Sequence, residues 1–293
     1  MNRQPRRILA GVTRRSIFAG IGSVCLLAFL GGWSPAVEAG AATLRIGGTG
    51  GALGGMKLLA DAFMQSHPEI KIQVLPSIGS GGGIRALRAG AIDVALSSRP
   101  RKTKERSDGE DGIVEVEYAK TPLAFVTGPE VGVDNITQSE AAATYTGQIR
   151  TWPSGQPRRL ILRPRSESDT RILRGLSDEI DHALEAAFAQ SGMIVAVNDQ
   201  ENAEALEAAP GTFGTMTLGQ LRAERRRLKP IALDGVMPTP DNLTAGSYPM
   251  FKSFYFITDP SKSHAVADFL AFMQSPAAKE ILTASGHVPM IGT

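Results

Sequence analysis

From Thr43 onward the chain repeats one unit: a short apolar strand, a glycine-rich loop, and a helix opened by that loop. Leu44-Arg45-Ile46, Gly47 to Gly55 and the face Met56, Leu59, Ala60, Phe63 and Met64 make the first copy. Ile70 to Leu75, Ile78 to Gly83 and Ile84 to Ala89 make the second, with Ile92 to Leu96 as a third strand. Apolar positions at i, i+3, i+4 and i+7 belong on one helix face, and alternation belongs on a strand. This order predicts an α/β fold with sheets covered by helices. At 293 residues, 42% apolar and 20% charged, the chain has material for two lobes.

The pattern continues with strands at Ile113 to Val116, Leu123 to Val126, Leu160 to Leu162, Met193 to Val197, Ile231 to Leu233 and Phe254 to Ile257. Helices are expected at Gln138 to Tyr145, around Ile180 to Phe188 with Ser177 or Asp178 as cap, at Asn202 to Ala209, and in two pieces from Val266 to Ser285. Arg99 to Asp111 reads as a polar surface excursion, and Arg222 to Lys229 as a basic run on a helix.

The first forty residues differ from the rest. Arg3, Arg6, Arg7, Arg14 and Arg15 precede an apolar run from Ile17 to Leu30, followed by small residues that suit cleavage after Ala39 or Ala41. The 14-residue run is short of the ~20 that span hydrocarbon, so residues 1–39 are expected to be a removed secretory signal, placing the mature protein in the periplasm. Thr13-Arg14-Arg15-Ser16-Ile17-Phe18 loosely resembles a twin-arginine signal. Removing the signal takes five arginines and one glutamate from 31 basic and 29 acidic residues, leaving 26 and 28. The mature balance gives no reason to expect a nucleic-acid partner. Cys25, the only cysteine, lies in the signal, which excludes disulfides and thiolate chemistry from the mature chain.

Three loops follow strands and open helices: Gly47-Gly48-Thr49-Gly50-Gly51-Ala52, Ser77-Ile78-Gly79-Ser80-Gly81-Gly82-Gly83, and Ser166-Glu167-Ser168-Asp169-Thr170. Ser97-Ser98-Arg99 adds a strand tip. Unpaired amides at helix starts, hydroxyls and an arginine suit an oxyanion. Neither glycine loop has nucleotide-binding spacing. His67, His182, His264 and His287 lie too far apart for a metal set or a hydrolase triad, so no metal, cofactor or catalytic residue is expected.

The glycine-threonine first loop, Ile78 to Gly83, Ala91-Ile92-Asp93-Val94-Ala95-Leu96-Ser97-Ser98-Arg99, Pro210-Gly211-Thr212-Phe213-Gly214 and Phe269-Leu270 through Gly286-His287-Val288-Pro289 occur in the order seen in a known family. Together they resemble the phosphate-binding proteins of phosphate ABC transporters, in the type II periplasmic-binding superfamily. The resemblance implies two α/β lobes, each with a mixed sheet, joined by crossing strands near Lys120 to Leu123 and Phe251 to Phe254. Residues 43–121 with 253–293 would form lobe 1, and 122–252 lobe 2. It implies non-covalent capture of phosphate or a related oxyanion for the permease of an ABC importer, by a monomer that is not an enzyme. An oxyanion-sensing module for a membrane receptor is the alternative, and a phosphate-ester hydrolase the least favoured.

By this match the ligand residues are Thr49, Gly50, Gly51, Ala52, Ser80, Gly81, Ser98 and Arg99 on one side, and Arg165, Ser168, Asp169 and Thr170 on the other. The family's second lobe places an arginine four residues before Ser-Gly-Thr. Here Ser168-Asp169-Thr170 stands instead, and Pro164 occupies the arginine position between Arg163 and Arg165, of which Arg165 is preferred. Asp169 either accepts a hydrogen bond from a protonated phosphate, rejecting sulfate, or starts a helix facing solvent.

Overall fold

In the computed structural model, residues 42–106 and 112–291 are described. The expected signal at 1–39 and both cleavage positions lie outside them. The chain begins with β1 (Ala42–Gly48), α1 (Gly50–Ser66), β2 (Ile70–Val74), α2 (Gly79–Arg88) and β3 (Val94–Ser97). A long β4 (Val114–Thr127) leads to β5 (Asn135–Ile136), α3 (Gln138–Tyr145), β6 (Arg159–Leu162), α4 (Ser168–Arg174), α5 (Asp178–Ala189), β7 (Ile194–Val195) and α6 (Asp199–Glu207). Then come β8 (Thr212–Thr217), α7 (Leu218–Ala223), β9 (Lys229–Leu233) and α8 (Pro240–Thr244). The chain returns through β10 (Phe251–Thr258), α9 (His264–Met273), α10 (Pro276–Ala284) and β11 (Val288–Pro289).

Strand order is β2-β1-β3-β10-β4-β8-β6-β7, mixing parallel and antiparallel neighbours. The chain is thus α/β with a mixed sheet on each side of β4. That strand changes partners along its length. Val114 to Pro122 pair with β10, whereas Leu123 to Thr127 pair with β8. Apolar burial divides at the same place. Ile46, Met56, Phe63, Leu96, Tyr118, Phe256 and Phe269 belong to one core, and Phe125, Tyr145, Trp152, Leu162, Phe213 and Ile231 to another. The Tyr118 and Phe256 rings stack at 4.4 Å in the first, the Phe125 and Phe213 rings at 5.2 Å in the second. Thr121, fully buried near the partner change, accepts from the Gly219 amide at 2.9 Å and donates to the Gly286 carbonyl at 3.0 Å, joining β4 to α7 and to the end of α10.

Helix starts follow their capping residues. Thr137 and Glu140 form a reciprocal box at α3, and Ser177 and Ser275 accept amides at α5 and α10. Several expected boundaries shift. The two strands expected between Ile113 and Val126 are one strand, because the polar stretch between them pairs with β10. α2 starts at Gly79 rather than Ile84, its glycines serving as the first turn, and α6 starts at Asp199 because Asn198 caps it. β8 lies where no strand was expected. The basic run from Arg222 is not one helix: α7 ends at Ala223, Arg225 has φ 53°, and Lys229 opens β9.

Candidate functional site

The turn from β1 into α1 requires glycine. Gly48 has φ 148°, and a β-carbon there would stand 2.0 Å from the Leu96 carbonyl oxygen. This tight passage lets the Thr49 amide bond Leu96 at 3.0 Å and aims the first amides of α1 across the junction of the two cores. Thr49, Gly50, Gly51 and Ala52 are all buried there. The Gly51 amide donates to the carboxylate of Asp199, at the start of α6. Gln200 beside it donates to the Gly50 carbonyl at 3.2 Å.

A chain of hydroxyls crosses the same junction. Ser80 on α2 accepts from the Ser98 amide at 3.0 Å, its Oγ lies 3.1 Å from Ser98 Oγ, and Ser98 Oγ lies 3.4 Å from Ser168 Oγ at the start of α4. Three residues singled out from separate loops are therefore in contact. Gly81 lies beside Ser80 in the first turn of α2, and Arg99 is held by Glu105 in two bonds of 2.7 Å. The Arg99 bonds keep the Glu105 carboxyl down at about 2.

Behind Ser168 lies a sealed cluster of four charges. Arg163 is 4% exposed, Asp169 1%, Asp199 7% and Lys252 2%. Lys252 Nζ bonds Asp169 and lies 3.3 Å from Asp199. Arg163 donates through Nη1 to the Ala196 carbonyl at 2.7 Å, while its Nη2 lies 3.5 Å from Asp199 and its Nε 3.8 Å from Asp169. Neither Nε nor Nη2 has a hydrogen-bond partner among the described residues. Burial would raise the Asp199 carboxyl, but Lys252 and Arg163 outweigh it and hold it below its ordinary value. Burial likewise pulls Lys252 down, and Asp169 with Asp199 carry it above its ordinary value. Glu167, on the outer edge, is pushed up mainly by burial. Thr170 donates to the carbonyls of Arg163 and Pro164, tying the loop back on itself.

The geometry reverses the preference between the two arginines. Arg163 points inward, whereas Arg165 is half-exposed, pairs with Glu185 and lies over the Phe188 ring at 4.3 Å. The chain turns at Arg165 and Ser166, just after Pro164, so the two arginines leave the loop in different directions. Asp169 also turns inward rather than to solvent. Sequence reasoning missed Asp199 and Lys252. For Lys252 a signal existed: it shares the alternating face of Phe254 and Phe256, which are both buried, so its side chain had to enter the interior.

A cavity of about 770 Å³ lies elsewhere, between α1 and α6. Glu201, Glu204 and Glu224 line it against Lys57 and Arg226, and Arg226 is paired with Glu224, so the balance there is acidic and does not favour an anion.

Residues 34–277 match the PBP superfamily domain. The chain belongs to that superfamily. It is 26% identical over 237 residues to the phosphate-binding protein PstS of Bacillus subtilis, covering 79% of this chain and 75% of that one. With PstS of Borreliella burgdorferi the identity is 27% over 218 residues, covering 72% and 77%. Among solved structures, a phosphate-bound chain from Clostridium perfringens superposes with a TM-score of 0.68 at 20% identity, covering 85% of this chain and 99% of that one. An ABC-type phosphate transport receptor from Vibrio cholerae gives 0.57 at 21% identity, covering 84% and 99%. The fold is that of these proteins, the two-lobed type II periplasmic-binding fold.

Proposed function

We propose that this chain is an extracytoplasmic solute-binding protein that captures phosphate between its lobes and hands it to the permease of an ABC importer. The observation that carries the reading is the meeting of Ser80, Ser98 and Ser168 beside a buried Arg163 whose Nε and Nη2, 3.5 to 3.8 Å from carboxylates, make no hydrogen bond among the described residues. Buried donors without partners are costly, and a tetrahedral oxyanion offers acceptors for a planar fork. The PstS names of the sequence relatives agree with that chemistry. No reacting group is needed for the task, and the chain acts by binding alone.

In this reading residues 1–39 direct export and are removed after Ala39 or Ala41, and the mature protein works in the periplasm as a monomer. Lobe 1 comprises 43–121 with 253–293, and lobe 2 comprises 122–252, with the hinge where β4 changes partners. Thr49, Gly50, Gly51, Ala52, Gly81 and Thr170 shape the walls, and Asp169 accepts a hydrogen bond from a protonated phosphate, which sulfate has no proton to give. Isothermal titration of the exported protein, stripped of bound anion, with phosphate, sulfate, molybdate and tungstate tests this. Phosphate alone is expected to bind tightly. A preference for another of these anions, or binding of none, overturns the assignment.

A further inference from the structure

Ser98 and Ser168 also border a second space, a cavity of about 660 Å³ whose charge is one-sided. Arg85, Arg99, Lys102 and Arg171 line it against a single carboxylate, Glu167. Arg85 Nη1 lies 3.4 Å, and Arg99 Nη2 3.9 Å, from the point where a β-carbon on Gly81 would stand, so two guanidinium groups crowd one glycine. Arg99 is neutralised by Glu105. Their backbones are bonded within α2 and α4, but the guanidinium groups of Arg85 and Arg171 have no hydrogen bond or ion pair among the described residues. They face the cavity from opposite sides of the serine contact, Arg85 on α2 and Arg171 on α4.

Like charges gathered in a concave space repel one another and focus a positive field into it, and an anion relieves both effects. The volume falls within the ~300–1,000 Å³ of pockets that hold organic-sized ligands, so a single four-oxygen anion would leave much of it unused. Guanidinium groups set on both walls suit a group with several planar-fork acceptors. We infer that this cavity is a second anion subsite, and that the chain takes condensed phosphate: one phosphoryl group lies against Ser80, Ser98 and Ser168, the other between Arg85 and Arg171. This inference rests on the phosphate reading above.

Calorimetric titration of the exported protein with pyrophosphate and orthophosphate, at fixed ionic strength, tests it. Pyrophosphate is expected to bind at least about tenfold more tightly than orthophosphate. Arg85→Gln and Arg171→Gln, both on exposed side chains, are each expected to cost about tenfold in pyrophosphate affinity, the loss of one charge-assisted contact, and to leave orthophosphate within about twofold. Lys279→Gln, which removes an exposed charge on α10, is expected to change neither. Orthophosphate binding without a pyrophosphate advantage overturns the subsite and leaves the phosphate assignment standing. Equal losses for both anions in the arginine variants, or a matching loss in Lys279→Gln, also overturn it, since the arginines would then act only through general charge. Binding of neither anion removes both readings together.

Discussion

The two walls of the cleft treat charge in opposite ways. On the wall of α1, α2 and β3, the groups that face the junction are amides and hydroxyls, and the guanidinium groups stand at the rim in contact with water. On the wall of α4 and α6, with Lys252 entering from β10, the facing groups are ionised and sealed from solvent, and their formal charges cancel. The first wall can receive an anion without disturbing any ion pair. The second can do so only by loosening contacts among Arg163, Asp169, Asp199 and Lys252, because an added negative charge must be matched in a place water does not reach. The proposed function therefore assigns selectivity to the second wall, and general attraction and shape to the first.

The strongest way to break this contrast is to remove the cation that the two buried acids share. Lys252→Met leaves Arg163, at 3.5 to 3.8 Å, as the cation facing Asp169 and Asp199, and is expected to destabilise the protein by about 3–5 kcal/mol, as uncompensated buried charges do. For a chain of this size that corresponds to roughly 10 °C in melting temperature. The double variant Lys252→Met with Asp169→Asn is expected to regain at least half of the loss, measured by urea unfolding of all three proteins. A single-variant cost below about 1 kcal/mol would mean that the acids are solvated and the wall is not sealed.

A second test concerns the joint between the walls, which contains a buried but uncharged titratable group. His287 is 2% exposed, contacts Ser285 Oγ at 3.1 Å, and lies so close to α7 that a β-carbon on Gly219 would meet its ring at 2.3 Å. Burial lowers its pKa to about 4, against 6.5 in the unfolded chain. Between those values the unfolded chain holds more protons than the folded one, so stability falls as pH falls from about 6.5 toward 4, by about 3 kcal/mol in total. Urea midpoints at pH 7.5 and 4.5 should show this loss, and His287→Gln should remove that part of it. An identical pH dependence in the variant would place the ring in water.

The same contrast explains what could be read from the sequence. The first wall was legible because glycine and serine carry their reasons locally: Gly48 is needed where φ is 148°, and Ser80 and Ser98 sit at the ends of a helix and strand whose periodicity is plain. The second wall was only half legible. Ser168, Asp169 and Thr170 stood out as a loop opening a helix, but the partners that determine Asp169's direction come from Lys252, 83 positions away on β10, and from Asp199 at the start of α6. The choice between Arg163 and Arg165 turned on which side of Pro164 faces the interior, and spacing alone does not encode that. β8 was missed because its glycine and threonines hide the apolar alternation, although central pairing buries every residue in it.

The smallest effect sharpens the first wall. Ser98→Ala removes a hydroxyl that contacts both Ser80 and Ser168 while leaving the Ser98 amide bonded to Ser80 Oγ, so the strand tip keeps its place. A neutral hydrogen bond contributes about 1 kcal/mol net, which predicts a loss in phosphate affinity of up to tenfold with the thermal midpoint nearly unchanged. Titration calorimetry and a thermal scan on the same sample separate the two effects. A loss well beyond tenfold would show that this hydroxyl bonds the anion as strongly as a charged donor does, and the division of labour between a permissive wall and a selective one would fail. A large drop in thermal midpoint would instead assign the serine chain to holding the lobes together, leaving attraction to the arginines at the rim.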